Sequence, residues 1–147
     1  MSSAPNMTSV SSKSYVLAEQ AADYITSLLP ETIPRPEIGI ICGSGLSGLV
    51  STFHADPQIS IPYADIPNFP VSTVAGHQSR LVFGTLGEKR IGLVAMVGRV
   101  HFYEGHDMAV VTLPIRVLHL LGIKTLIGEH RLEVNLIFSD QRRWRAQ

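Results

Sequence analysis

The sequence is poor in charge, in cysteine and in long apolar runs. Charged residues make up 16% of its 147 residues, and lysine plus arginine balance aspartate plus glutamate at 12 each. This balance provides no basic field to attract nucleic acid or an anionic membrane. The longest apolar runs, such as Ile91 to Val97, are far shorter than the ~20 residues of a membrane span. A lone cysteine, Cys42, excludes an internal disulfide and favours a reduced, cytoplasmic compartment.

What the sequence does contain is enough apolar material, 45% of the residues, for one domain with a buried core. Residues 1–13 are rich in serine and lack the basic and apolar regions of a secretory signal, so they are not expected to be one. They are predicted to be a disordered leader. Residues 14–127 form the predicted domain. Residues 128–147 are a divergent, charged tail, in which an amphipathic strand from Leu132 to Phe138 would have no obvious partner.

Apolar spacing predicts alternating helices and strands. A helix capped by Ser14 is expected to end before Pro30, followed by the apolar strand "EIGIIC". The proline-rich segment 57–72 leaves room for one edge strand near Gln58 to Ile61. The runs "RLVFGTL" and "KRIGLVAMV" flank Gly87-Glu88 and indicate a hairpin of two buried strands.

A second helix is expected to start at Asp107 as its cap and to end at Gly122. Pro114 would be a kink or a late start in this helix. The run "IKTLI" would be the next buried strand. The alternation of strands and helices predicts an α/β fold with a mixed central sheet flanked by helices.

Three glycines follow the strand "EIGIIC" with the spacing G-x-G-x-x-G, at Gly43, Gly45 and Gly48. In a dinucleotide site an acid follows about 20 residues later at the end of a second strand, and Asp65 lies near that distance. Prolines bracket Asp65, however, which makes it a poor strand end. A glycine turn still presents backbone N–H groups to an anion, and Ser44 adds a hydroxyl there.

A second group of polar residues, "GRVHFYEGH", follows the buried strand of the hairpin. Alternation along an extended chain would place Arg99, His101 and Tyr103 on one face, where they could hold an anion and a hydroxylated ligand. A metal site made of His101, Glu104 and His106, with His77 as a fourth ligand, is an alternative. Its spacing matches no familiar zinc pattern, and the positive charge of Arg99 would repel a cation.

The motifs "GSGLSGL", "IPNFPVSTVAGHQSRLVFG", "GRVHFYEGHDM" and "LPIRVLHLLGIKTLI", taken in order, resemble those of the trimeric purine nucleoside phosphorylases. This resemblance spans roughly Ser14 to Ile127. It implies reversible phosphorolysis of inosine- and guanosine-type nucleosides to base and ribose 1-phosphate, with inorganic phosphate as co-substrate and no metal or organic cofactor. It also implies a homotrimer for a complete chain.

The same resemblance assigns roles to individual residues. Matched by motif, the phosphate-binding residues would be Ser44, His77, Arg99 and His101, and Tyr103 would contact the ribose. His101 and Glu104 are the catalytic candidates, since Glu104 matches a family position close to the phosphate.

After Ile127 the sequence departs from the family pattern. The family continues with the small-residue segment T-N-A-A-G-G, whereas here "GEHRLEVNLIFSDQRRWRAQ" follows. The family residues that recognise and protonate the purine have no match in this sequence. A non-catalytic fragment that binds phosphate, or a regulatory subunit that joins full-length trimers, is therefore the alternative function.

Overall fold

The computed structural model describes residues 7–43, 47–71, 79–98, 107–128 and 136–137. The helices are α1 (Met7–Leu28), α2 (Met108–Val111) and α3 (Leu113–Leu120). The strands are β1 (Ile38–Cys42), β2 (Ile59–Pro62), β3 (Arg80–Leu86), β4 (Ile91–Val97), β5 (Thr125–Gly128) and β6 (Leu136–Ile137). Two short 3₁₀ segments, Ser47–Thr52 and Tyr63–Asp65, connect the early strands. None of the helices described here has the length and apolar character needed to cross a membrane.

The six strands form one mixed sheet in the order β2-β3-β4-β1-β5-β6. Strand β1 is parallel to both of its neighbours, β4 and β5, whereas the remaining pairs are antiparallel. The predicted mixed α/β fold is thereby confirmed. The hairpin of β3 and β4 is also confirmed, and β2 is the edge strand predicted in the proline-rich segment.

The core lies on both faces of this sheet because successive strand residues point to opposite sides. On one face, Phe83 of β3 and Val94 of β4 pack in one cluster with residues of α1 and α3, among them Ile25 and Val117. The opposite face carries a smaller cluster, which includes Phe53 after the first 3₁₀ segment. Strands β1, β3 and β4 are therefore covered on both faces, as their apolar sequences require.

Helix α1 begins at Met7, so the predicted start at Ser14 is wrong, and residues 7–13 are helical rather than a disordered leader. Ser14 lies inside the helix with only 8% of its surface exposed. Its hydroxyl accepts a hydrogen bond from Nη1 of Arg116 in α3. Ser14 thus helps to hold two helices together, whereas an N-cap would flank the first turn of one helix.

The second predicted helix is divided in two at Thr112. The carboxylate of Asp107 accepts a hydrogen bond from the amide of Ala109, as expected for a cap. Pro114 occupies the first turn of α3, where its missing N–H leaves no helical bond unmade. Gly122 ends α3 with φ of +98°, and the paired bonds from Gly122 N–H to His119 and from Ile123 N–H to Leu118 complete the C-terminal cap.

Part of the predicted strand in the tail does find a partner. Leu136 and Ile137 form β6, which pairs antiparallel with Leu126 and Thr125 of β5. The expectation that nothing would pair with this segment is therefore wrong, because β5 offers its outer edge. The rest of the tail after Gly128 lies outside the described residues.

Candidate functional site

The predicted site residues lie in three segments outside the described part of the chain: 44–46, 72–78 and 99–106. The residues concerned are Ser44, His77, Arg99, His101, Tyr103 and Glu104. Their roles therefore stay predictions. The flanking residues are described, however, and they fix where each of the three segments is attached to the sheet.

Two of these segments leave the sheet side by side. Strand β1 ends at Cys42, and β4 ends at Val97. These two residues are register partners in a parallel pair, so the carboxyl ends of both strands lie side by side. They lie at the edge of the sheet that runs across the strand ends, not at one of its outer strands. The segment with Ser44 starts after Gly43, and the segment with Arg99 and His101 starts after Gly98.

The third segment returns to the same edge. Strand β3 starts at Arg80, which is the antiparallel register partner of Val97. The segment that contains His77 ends immediately before Ser79, so it joins the sheet beside the end of β4. All three segments are therefore attached at one edge, where open parallel sheets commonly place their ligands.

Tight local contacts hold this edge together. Gly98 has φ of +87°, and a Cβ atom built on it would lie 2.9 Å from Ser79 Oγ and 3.2 Å from Ser79 Cα. The Tyr63 hydroxyl donates a hydrogen bond of 2.8 Å to the carbonyl oxygen of Gly98. Burial raises the pKa of Tyr63 well above its ordinary value, with a smaller contribution from Cys42. Its hydroxyl therefore stays a neutral donor.

Tyr63 is not among the residues predicted for the site, although it lies close to the motif "IPNFP" in the sequence. Tyr63 is 1% exposed, and its ring meets that of Phe69 edge-on at 4.9 Å between centroids. The sequence signal that could have pointed to Tyr63 is its position between Pro62 and the following proline-containing motif. Its contact with Gly98 joins positions far apart in sequence and could not be read from spacing.

An apolar cavity of about 160 Å³ lies beneath this edge, on the side of α2 and α3. Its lining includes Ile41 of β1, Met96 of β4, and Val111 and Pro114 from the helices. Among the residues that the structure describes, no charged side chain lines it. Because an anion needs donors or positive charge, this described lining alone does not provide a phosphate site.

The structure contradicts the dinucleotide interpretation. Asp65 lies in the 3₁₀ segment after β2, and β2 is antiparallel to β3 at the far edge of the sheet. A dinucleotide fold needs its acid at the end of a strand parallel and adjacent to the first one. The neighbours of β1 are β4 and β5 instead. The metal alternative is untested, since His77, His101, Glu104 and His106 lie outside the described residues.

A family model described as the phosphorylase superfamily matches residues 37–128. The chain belongs to the phosphorylase superfamily. The matched range runs from the residue before β1 to the end of β5, and so contains the three segments of the candidate site.

Relatives of this phosphorylase-superfamily chain include purine nucleoside phosphorylases from distant organisms. The enzyme of Mus musculus is 50% identical over 108 residues, which cover 71% of this chain and 36% of that protein. Purine nucleoside phosphorylase 1 of Bacillus subtilis is 49% identical over 109 residues, covering 74% and 38%. The resemblance stated from the motifs is thereby confirmed.

Solved structures of purine nucleoside phosphorylases also match this chain. Isoform 2 of purine nucleoside phosphorylase from Schistosoma mansoni, in complex with cytosine and ribose-1-phosphate, matches with a TM-score of 0.67 at 46% identity. The match covers 78% of this chain and 38% of that one. The superfamily chain thus spans between 36% and 38% of the length of these three proteins.

Proposed function

We propose that this chain is a purine-nucleoside phosphorylase, which reversibly converts inosine- or guanosine-type nucleosides and phosphate to the free base and ribose 1-phosphate. The observation that carries the proposal is the attachment of all three motif segments at one edge of the sheet, beside the paired residues Cys42 and Val97. The named relatives and the structure bound to ribose-1-phosphate support the same substrate class.

In the proposed reaction a phosphate oxygen attacks the anomeric carbon while the glycosidic C–N bond breaks. The bond electrons leave with the purine, which takes up a proton, and positive charge develops on the ribose ring. Holding the phosphate dianion below the sugar supplies both the nucleophile and the compensating charge, so catalysis is mainly positioning and electrostatics. No metal or organic cofactor enters this scheme.

The proposal gives each motif residue one task. Ser44 and the turn amides, together with His77, Arg99 and His101, bind the phosphate. Tyr103 contacts the ribose. Glu104 and His101 are the catalytic residues, and they make their hydrogen bonds close to the phosphate oxygens. Arg99 is the strongest single ligand in this scheme, since its guanidinium can donate two parallel hydrogen bonds to one phosphate.

A cytoplasmic location is part of the same proposal. The sequence contains one cysteine, Cys42, which is buried at the end of β1 and has no second cysteine in the sequence with which to form an internal disulfide. A buried cysteine outside any internal disulfide is compatible with a reducing compartment.

The test is the release of hypoxanthine from inosine by the purified chain, with and without inorganic phosphate. We expect release only with phosphate, and a loss of at least about 100-fold in Arg99→Ala, because one charged ligand of the transition state is removed. Arg35→Ala is the matched control, since Arg35 is exposed on the connector between α1 and β1. Release without phosphate would contradict phosphorolysis.

A second candidate function is a non-catalytic subunit that binds phosphate and joins full-length trimers. The sequence after Ile127 favours it, because there the chain departs from the family pattern and offers no match to the base-recognising residues of the family. Under this alternative, phosphate raises the melting temperature, no hypoxanthine is released, and the chain co-elutes with a full-length relative. Phosphate-dependent turnover by the isolated chain would rule it out.

A further inference from the structure

Tyr63 makes two hydrogen bonds to residues that flank two different segments of the candidate site. Its backbone N–H donates to the carbonyl of Ser79 at 3.0 Å, next to the point where the segment 72–78 returns to the sheet. Its phenol donates to the carbonyl of Gly98 at 2.8 Å, where the segment 99–106 departs. One residue therefore ties together the end of the first segment and the start of the second.

The two tied positions also touch each other. Ser79 occupies the space beside the Cα of Gly98. A Cβ atom built on Gly98 would lie 2.9 Å from Ser79 Oγ. Gly98 has the left-handed φ of +87°, which side chains other than glycine rarely adopt. The peptide group leaving Gly98 is planar, so a bond to its carbonyl also sets the direction in which the chain continues.

Tyr63 itself has little freedom to move. Its side chain is 1% exposed, its ring packs edge-on against Phe69, and its residue belongs to the main core cluster. Rigid packing makes its hydroxyl a fixed reference point relative to the sheet. Removing that hydroxyl would leave the Gly98 carbonyl without this bond but would leave the ring packing in place.

We propose that Tyr63 is a positioning residue of the phosphate site, which acts by fixing where the segment 99–106 leaves β4 and where the segment 72–78 returns to β3. This role rests on the proposed function, because both segments carry its predicted phosphate ligands, His77 in one and Arg99 and His101 in the other. Tyr63 touches no substrate in this scheme. It sets the relative positions of Ser79 and Gly98, the two described residues to which these segments are attached.

The test compares Tyr63→Phe with Tyr24→Phe, a substitution of the same kind at a half-buried tyrosine of α1 that packs against the same core. Inorganic phosphate is titrated at a temperature at which all variants are folded. We expect the phosphate Kd to rise about tenfold in Tyr63→Phe, corresponding to about 1.4 kcal/mol, and to stay unchanged in Tyr24→Phe. A loss of fold stability alone would not change this Kd.

Hydrogen exchange supplies a readout that does not depend on phosphate. We expect faster exchange of peptides covering 72–78 and 99–106 in Tyr63→Phe, with peptides from β5 unchanged. Unchanged exchange in both segments would overturn the positioning role. Equal phosphate affinity of wild type and Tyr63→Phe would also overturn it and would leave the proposed function standing. If phosphate does not bind the wild-type chain, the proposed function is wrong, and the role of Tyr63 falls with it.

Discussion

At the scale of single residues, Gly92 marks a close approach of two backbone segments. A Cβ atom on Gly92 would lie 2.6 Å from the carbonyl oxygen of Pro34 and 2.9 Å from that of Arg35. The same glycine accepts a hydrogen bond of 3.1 Å from the amide of Glu37. The connector between α1 and β1 thus rests directly on the start of β4, and only a residue without a side chain leaves room for it.

Gly92→Ala is expected to lower the free energy of unfolding by about 2 kcal/mol, because backbone atoms must move to admit the methyl group. Urea denaturation measures this loss. Gly128→Ala in β5 is the matched control, since within the described part of the chain a Cβ there meets Ile41 atoms alone, at 3.9 Å. We expect its effect to stay within about 0.5 kcal/mol. Equal effects of the two substitutions would show that the connector does not press on Gly92.

At the scale of elements, the helix pair α2 and α3 shows how local signals combine. Asp107 caps the start of α2, Pro114 lies in the first turn of α3, and Gly122 follows the end of α3. One apolar stretch of sequence therefore forms a short helix and a longer one. Helix α1 behaves differently. Its predicted start failed because Ser14, a good capping residue in sequence, is used for a contact with Arg116 of α3.

Gly122→Ala is expected to destabilise the protein by about 1 kcal/mol, because φ of +98° strains any residue with a Cβ. Gly48→Ala is the control. Apart from each glycine's own chain neighbours and helix backbone, no atom of the described residues lies within 4 Å of a Cβ added to either glycine, but Gly48 has no left-handed φ. Thermal and urea unfolding should show a loss for Gly122→Ala and no loss for Gly48→Ala. A loss of stability in both variants would indicate that the left-handed backbone conformation of Gly122 is not the cause of the destabilisation.

At the scale of the whole molecule, the two edges of the sheet differ. On one side β2 ends at Pro62, which cannot donate a ladder hydrogen bond. On the other side β6 pairs with Thr125 and Leu126, and within the described chain Ile127 and Gly128 are paired only towards β1. Ile127 is 47% exposed at this edge. An apolar residue on an incompletely paired edge favours association with other chains.

Ile127→Lys is expected to shift the chain towards the monomer, measured by sedimentation velocity over a range of protein concentrations. Ile91→Lys is the matched control, because Ile91 is 46% exposed but belongs to β4, which is inside the sheet. We expect Ile91→Lys to leave association unchanged. If both variants shift equally towards the monomer, the added positive charge itself, and not its position at the edge of β5, controls association.

The sequence by itself determined most elements and the family. Apolar runs bounded by glycine and proline identified β1, the β3 and β4 hairpin and the cap at Asp107, because these signals act within a few neighbouring residues. The order of the motifs identified the purine nucleoside phosphorylase resemblance. The prolines that flank Asp65 already argued against a dinucleotide acid, and the strand order agrees, because β2 is not a neighbour of β1.

Only the tertiary structure decided what meets at the edge of the sheet. The register of Val97 with both Cys42 and Arg80 attaches the three motif segments side by side, although the sequence separates them widely. The bond from Tyr63 to Gly98 and the contact of Ser14 with Arg116 likewise join distant positions. Such contacts depend on strand order and packing, which no short stretch of sequence contains, since they arise only when the whole sheet has formed.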